Sequence, residues 1–296
     1  MTHKRTRGEV TFDVFLYIFM FLILFITVYP FWYIFAVSFN DGRDAMRGGI
    51  YFWPRMFTLD NYRAVFQNDR LLRAFRVSIA RTIIGTGVSV FFTAMVAYAM
   101  SRSELIFRKF YMMVGIITMF FGGGLIPYFL VIRGLGLVNS FWVYIFPAMF
   151  SFWNMIIIMT FFRQLPQELR ESADIDGAGD LRIFLTIILP LSTSVLAVIA
   201  LFNGVFHWND FFVAHIFINN QNLMPIQTVL FRIVAGAEAQ TMLAQLELPD
   251  VVTQRRVTTQ SIQLATMVVT TVPIICVYPF LQRYFVKGML IGSVKG

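Results

Sequence analysis

The chain has little with which to do covalent or redox chemistry. Its 296 residues include one cysteine, Cys276, and three histidines, His3, His207 and His215. A single thiol excludes an internal disulfide and a cysteine-based metal cluster, and no other metal site is expected. Lying in an apolar run, Cys276 reads as a small buried hydrophobe. Charge is scarce too: 14% of residues are Asp, Glu, Lys or Arg, against about 25% in an ordinary soluble domain. The only lysines are Lys4, Lys109, Lys287 and Lys295, and none is followed by Ser or Thr. A phosphate-binding P-loop needs Gly-Lys-Ser/Thr so that backbone N–H groups and the lysine can hold the nucleotide. The chain therefore lacks a standard ATPase site, and no cofactor is expected on it.

What is present is apolar. Hydrophobic residues make up 58% of the chain and the mean hydropathy is +0.70. The few charges cluster and leave neutral windows at 14–40, 82–101, 110–132, 134–162, 183–209 and 257–282. Each window is long enough for a helix to cross the hydrocarbon core. A seventh window, 211–231, is broken by Asn219, Asn220, Gln221, Asn222, Pro225 and Gln227. Those amides are costly in lipid, so this window reads as an external loop. The expected fold is an all-α polytopic membrane protein with six transmembrane helices. A tail over 1–12 precedes a transmembrane domain over 13–296, whose core covers about 75–282. The first apolar run, although preceded by Lys4, Arg5 and Arg7, is too long for a signal peptide and has no small-residue cleavage site. It is expected to remain as an anchor.

Ion-gradient coupling uses ionisable groups within the spans. Five of the six windows contain none, and the fifth has only His207 near its outer end, beside Trp208. An ion-coupled carrier is thus the weaker alternative. An intramembrane enzyme is weaker still, because no span holds paired carboxylates. His207 reads as an interfacial histidine rather than a catalytic base. Asp13 and Asp210 sit at span ends, and Arg76 and Arg81 at the outer start of the second span, where they can snorkel. Short loops weigh most in orientation. Lys4, Arg5 and Arg7 in the tail and Arg102, Arg108 and Lys109 in the 101–109 turn place both termini, that turn and the 163–182 loop in the cytoplasm. The longer segments around 39–72 and 210–256 then face outward. The net charge of +8 suits a rim held against anionic membrane lipid, and no nucleic-acid motif accompanies it.

The cytoplasmic loop between spans four and five has the densest pattern. Pro166 suits the first turn of a helix, and Glu168 and Glu171 lie near its positive end. Gly177 supplies the left-handed residue that ends a helix. Asp180 is placed to cap a second helix through Ile183, Ile187 and Leu189. The expectation is a helix, a glycine bend and a helix, projecting sideways and tied to the next span.

Glu171-Ser172-Ala173, Gly177, Ile187 and Leu189-Pro190 keep every spacing of the signature loop of ABC importer permeases, with Ser172 where the family has its first alanine. The chain resembles that family. Further segments resemble its carbohydrate, maltose-type branch: Phe57-Thr58-Leu59-Asp60-Asn61-Tyr62, Ala97-Tyr98-Ala99-Met100-Ser101-Arg102, Trp208-Asn209-Asp210, and the tail from Phe285-Val286-Lys287-Gly288 to Lys295-Gly296. Gly122-Gly123-Gly124-Leu125-Ile126-Pro127 resembles a subgroup tied to complex oligosaccharides. The resemblance implies a prokaryotic cell-membrane permease importing a sugar or oligosaccharide. It implies four kinds of partner besides lipid: a second permease subunit, two cytoplasmic ATPase subunits that bind the ATP, and an extracytoplasmic solute-binding protein. It makes the 164–190 loop, with Glu171, Ser172, Ala173, Asp174, Gly177, Leu189 and Pro190, the coupling helix that docks on the ATPase. A permease for another small solute is the rival within the family.

Sugars are hydroxyl-rich and have apolar ring faces, so a path for them needs amides and aromatic planes rather than fixed charges. Trp153 and Asn154 in the fourth window, Asn203, Trp208 and Asn209 in the fifth, and Gln260 and Gln263 in the sixth are the candidates. The competing reading is interhelical hydrogen bonding that holds the bundle. Gly122–Gly124 and Pro127 would loosen the third helix, either as a hinge or, slightly favoured, as a close-packing site.

Overall fold

The computed structural model describes residues 6–246 and 258–293. Lys4 and Arg5 of the tail, the end of the outer segment (247–256), and Lys295 and Gly296 lie outside the described residues. Apart from one antiparallel bridge between Asn40 and Phe57, every regular element among the described residues is helical.

Helix α1 (Arg7–Ser38) opens on a capping box, in which the Thr6 hydroxyl accepts from the Glu9 amide and the Glu9 carboxylate accepts from the Thr6 amide. Its apolar stretch buries nothing within the chain, as a helix facing lipid or a partner would. A short α2 (Gly42–Met46) and α3 (Asp60–Phe66) follow, and then the long α4 (Asp69–Ser101). Next come α5 (Arg108–Phe120), α6 (Leu125–Gly134) and α7 (Phe152–Phe162). The loop region holds α8 (Glu168–Ile175), α9 (Asp180–Ile183), a π-helical turn (Phe184–Ile188) and α10 (Leu189–Leu191), leading to α11 (Thr193–Asn209). Helices α12 (Phe212–Phe217), α13 (Ile226–Leu246) and α14 (Thr259–Ser293) complete the chain.

Two compact units form, Met1–Asn68 with Arg232–Thr271 and Asp69–Phe231 with Val272–Gly296. The core of the second lies where α4, α7 and α11 pack together. It buries Ala94, Ala97 and Met100 of α4 against Met155, Ile158 and Met159 of α7 and Val195 and Ile199 of α11. The small α4 residues let the neighbouring helices come close, as they do between membrane helices.

Three helices, α1, α4 and the start of α14, are long and apolar enough to cross a membrane, and there are up to five such spans if each bent pair counts as one. The 110–132 window is interrupted: α5 and α6 meet at 117° across residues 121–124. Three consecutive glycines each lose about 1 kcal/mol of helix propensity, and Gly124 sits at φ +82°. Among the described residues a Cβ on Gly122 or Gly124 would meet nothing within 4 Å, and one on Gly123 would meet Pro127 at an ordinary 3.6 Å. Close approach occurs instead at Gly115, where a Cβ would fall 1.8 Å from the Phe152 ring, and at Gly85, 2.5 Å from His207. Of the 134–162 window only α7, with 11 residues, continues as an α-helix after a 3₁₀ turn at Phe141–Tyr144. The 183–209 window is also split, with Asp180–Leu191 meeting α11 at 84°. Pro190 has no N–H to give the turn before it, and its ring crowds that turn's carbonyl. Relaxation of this strain accounts for the π-helical turn.

Candidate functional site: the 164–190 loop and the buried polar contacts

Helix α8 starts two residues later than the loop pattern implies. Gln167 is its N-cap and Pro166 precedes the cap, while Glu168 and Glu171 occupy the first turn as expected. Its end is a Schellman motif: the Ala178 N–H bonds the Ala173 carbonyl at 2.9 Å and the Gly177 N–H bonds the Asp174 carbonyl at 3.1 Å. Gly177 has φ +75°, the left-handed conformation this motif requires. Ala173, the one buried residue of α8, packs with Tyr98, Ile183 and Phe184 in the core, and Ala178 joins them. Ser172, the small residue just before Ala173, is exposed.

Asp180 does not cap the second helix. Gly179 is the N-cap, and the Asp180 carboxylate accepts from Arg102 Nη1 and from the Tyr98 hydroxyl at 3.4 Å. Arg102 Nε also binds Glu104 at 3.1 Å, Glu104 reaches Arg170 at 3.4 Å, and Arg170 reaches Asp174 at 3.4 Å. This ionic chain ties the loop to the 101–109 turn. Burial works against the Arg102 charge, yet bonds to Glu104, Tyr98 and Asp180 outweigh it and raise its pKa above the usual arginine value. Glu104 is held below the ordinary carboxylate value by its own backbone N–H and by Arg102.

In contrast, the Glu171 carboxylate is exposed and has no hydrogen bond or ion pair among the described residues. Ile175 is 86% exposed, and Leu169 and Leu181 also face out. Leu189 is half-buried against the core, and Pro190 is exposed.

The path candidates divide. Asn203 is buried, accepting from the Ser89 hydroxyl at 3.1 Å and donating to the Ile199 carbonyl at 3.0 Å, which makes it a tie between α4 and α11. Asn154 is buried in the first turn of α7, next to Trp153, which is exposed. Trp208 is buried and Asn209 exposed. Gln260 is exposed and Gln263 half-buried on the part of α14 that belongs to the first unit.

Arg81 does not snorkel. It is 1% exposed, its Nη2 lies 2.6 Å from Asp210 Oδ2, its Nη1 donates to the Asp210 carbonyl at 2.9 Å, and its guanidinium lies 4.3 Å from the Tyr144 ring centre. His207 is also buried, its ring lying against the bare backbone of Gly85. These contacts are invisible to a local reading, because Arg81 and Asp210 are 129 residues apart.

An all-helical chain with several apolar spans and a rigid polar elbow feeding one of them is a multi-pass membrane permease. No family model matches it. The chain is 41% identical to Protein LplC of Bacillus subtilis (strain 168), covering all of this chain and 98% of that one. It is 39% identical to the polygalacturonan/rhamnogalacturonan transport system permease protein YtcP of the same organism, covering 96% and 98%. A crystal structure of a bacterial ABC transporter involved in the import of the acidic polysaccharide alginate superimposes with a TM-score of 0.87 at 25% identity, over 96% of this chain and 100% of that one. The chain belongs to the permease family of carbohydrate ABC importers and is a multi-pass membrane protein of a prokaryote.

Proposed function

We propose that the chain is a transmembrane subunit of an ATP-driven importer that moves a sugar or oligosaccharide delivered by an extracytoplasmic binding protein. Its partners in this reading are a second permease subunit and two cytoplasmic ATPase subunits, and ATP is bound by the ATPases alone. The chain crosses the cell membrane six times after a short tail over 1–12, with both termini and the 164–190 loop in the cytoplasm. The observation that carries the reading is the split character of that loop. Its inner side is fixed by Ala173, the Schellman turn and the ionic chain through Arg102. Its outer side presents Glu171 and Ile175 exposed and, among the described residues, without a side-chain hydrogen bond or ion pair.

A cleft on an ATPase would take Ile175 as the apolar anchor and pair a cation with Glu171. Closure of the ATPases then pulls on α8. The pull passes through α9, the π-helical turn and α10 to α11, whose packing on α4 and α7 turns it into movement of the bundle. Trp153, Asn154 and Asn209 remain candidates for contact with cargo, together with Gln260 and Gln263. The alginate and pectin-type importers among the similar proteins support a saccharide as cargo.

Glu171→Lys and Gly177→Pro are expected to abolish uptake while membrane insertion stays normal, as judged by membrane-fraction immunoblots beside uptake of labelled oligosaccharides. Normal uptake in both variants would remove the coupling role. Uptake that survives ATP depletion would favour the ion-coupled carrier.

A further inference from the structure

The segment after α1 is built more rigidly than a simple connection requires. Asn40 is its hub: its Nδ2 donates to Asp44 at 2.9 Å, and its Oδ1 accepts from the Met56 amide at 2.7 Å. Asp41 N–H bonds the Met56 carbonyl at 2.9 Å, and Thr58 N–H bonds that of Phe39 at 2.8 Å. The buried Asn61 amide donates to the carbonyls of Ser38 and Asn40 at 2.9 and 2.8 Å. Arg55 closes the far side, pairing with Asp44 at 3.0 Å and donating to the Gly48 carbonyl at 2.7 Å.

This frame borders a half-open cavity of about 520 Å³ whose lining includes Asp41, Asp44, Asp60, Arg43, Arg47 and Phe57. The volume falls within the few hundred to about 1,000 Å³ usual for small-ligand sites. Carboxylates only accept hydrogen bonds and guanidiniums only donate them, whereas each sugar hydroxyl does both. A wall carrying both types can therefore satisfy a row of ring hydroxyls. Phe57 adds an aromatic plane: one face stacks on Phe39 at 5.6 Å, while the side chain stays 67% exposed. Such a plane suits the C–H face of a sugar ring.

Some of the lining charges are already paired, Asp44 with Arg55 at 3.0 Å and Asp60 with Arg63 at 3.5 Å. The Arg47 side chain makes no hydrogen bond or ion pair among the described residues, although Asp41 and Asp60 line the same cavity; only its backbone N–H is engaged, with the Asp44 carbonyl at 3.1 Å. The Asp41 Oδ1 caps α2, accepting from the Arg43 and Asp44 amides, and its other oxygen has no bond among the described residues. Asp44 is held ionised below the ordinary carboxylate value by its bond from Asn40, against the cost of burial, and further by Arg55.

We propose that this cavity is a saccharide-binding subsite, at which cargo touches the permease before entering the membrane path. The proposal rests on the reading above, that the 39–72 segment faces outward and that the cargo is a sugar. Arg47 holds a hydroxyl or a uronate carboxylate, Asp41 and Asp60 accept from hydroxyls, and Phe57 holds a ring face. A loop of the solute-binding protein is the competing occupant.

The test is saturation-transfer NMR on the full chain in nanodiscs, with maltotriose as neutral probe and trigalacturonate as acidic probe. At least one probe should receive saturation on its ring protons. Arg47→Ala and Phe57→Ala should each weaken its binding about tenfold, as expected for loss of one charge-assisted bond or one stacking face. Arg47→Lys should recover part of the loss, and Arg133→Ala, outside the cavity, should match the parent. Circular dichroism guards against misfolding. Absence of transfer in the parent chain, or equal affinity across the variants, would overturn the subsite. Variants that lose uptake with saccharide binding unchanged would also overturn it and assign the surface to the binding protein. Failure of the importer reading would show separately, as uptake that no longer depends on ATP while these binding data stay as they are.

Discussion

Arg81 illustrates what a charge needs once it leaves water inside a membrane protein. It is held by both an oxygen of the Asp210 side chain and the Asp210 carbonyl, with Tyr144 beneath the guanidinium. Removing one partner of such a pair strands the other, at a cost of about 3–5 kcal/mol, whereas replacing both with apolar groups is close to neutral. Asp210→Ala should therefore lower the thermal midpoint of the detergent-purified protein markedly, and Arg81→Met combined with Asp210→Leu should recover most of it. Asp44 gives a prediction of opposite character. Its pKa is lowered from 3.8, so its contribution is present above about that pH and fades as pH falls through the lower folded value. Tryptophan emission, which includes Trp53 in the same segment, should shift below about pH 4 in the parent chain, and the shift should be absent in Asp44→Asn. At this scale the sequence reading succeeded for Gly177, whose chemistry is local. It failed for Arg81 and Asp180, whose partners Asp210 and Arg102 come from distant parts of the chain, and the contact of His207 with Gly85 was out of its reach for the same reason.

Among the elements, the loop between α7 and α11 was the most legible. The acidic first turn of α8 and its glycine stop follow from residue types alone, since helix ends are satisfied by nearby groups. Gly177 tests the Schellman turn directly, because a Cβ there meets nothing within 4 Å and any penalty is conformational. Gly177→Ala should cost roughly 1–2 kcal/mol, and Gly177→Asn less, because asparagine tolerates the left-handed region. The order of uptake rates, parent above Asn above Ala, would check this. The breaks at residues 121–124 and at Ser192 were less legible. Hydropathy counts apolar residues and is blind to backbone geometry, so a window bent by 117° or 84° reads as one span.

For the molecule as a whole, the environment was legible and the assembly of the helices was not. Charge-free windows imply membrane helices because an unsatisfied backbone group in lipid is too costly for other structures. Which helices form the core is set by packing, and α4, α7 and α11 were not singled out by composition. Topology remains open to direct measurement: reporter fusions after residues 106 and 175 should be active as cytoplasmic fusions, and one after residue 50 as an external fusion. The reverse pattern would invert the proposed orientation and place the 164–190 loop out of reach of an ATPase.

By itself the sequence determined a helical membrane protein, the lack of a Gly-Lys-Ser/Thr motif, and an elbow ending at Gly177, because hydropathy, motif content and helix capping are properties of neighbouring residues. Only the tertiary structure decided that Ala173 roots the elbow in the core, that Arg102 wires it to the 101–109 turn, and that Arg81 and Asp210 lock α4 to the end of α11. It also decided that the segment after α1 borders a half-open cavity, since contacts between residues far apart in the chain exist only once the helices have packed.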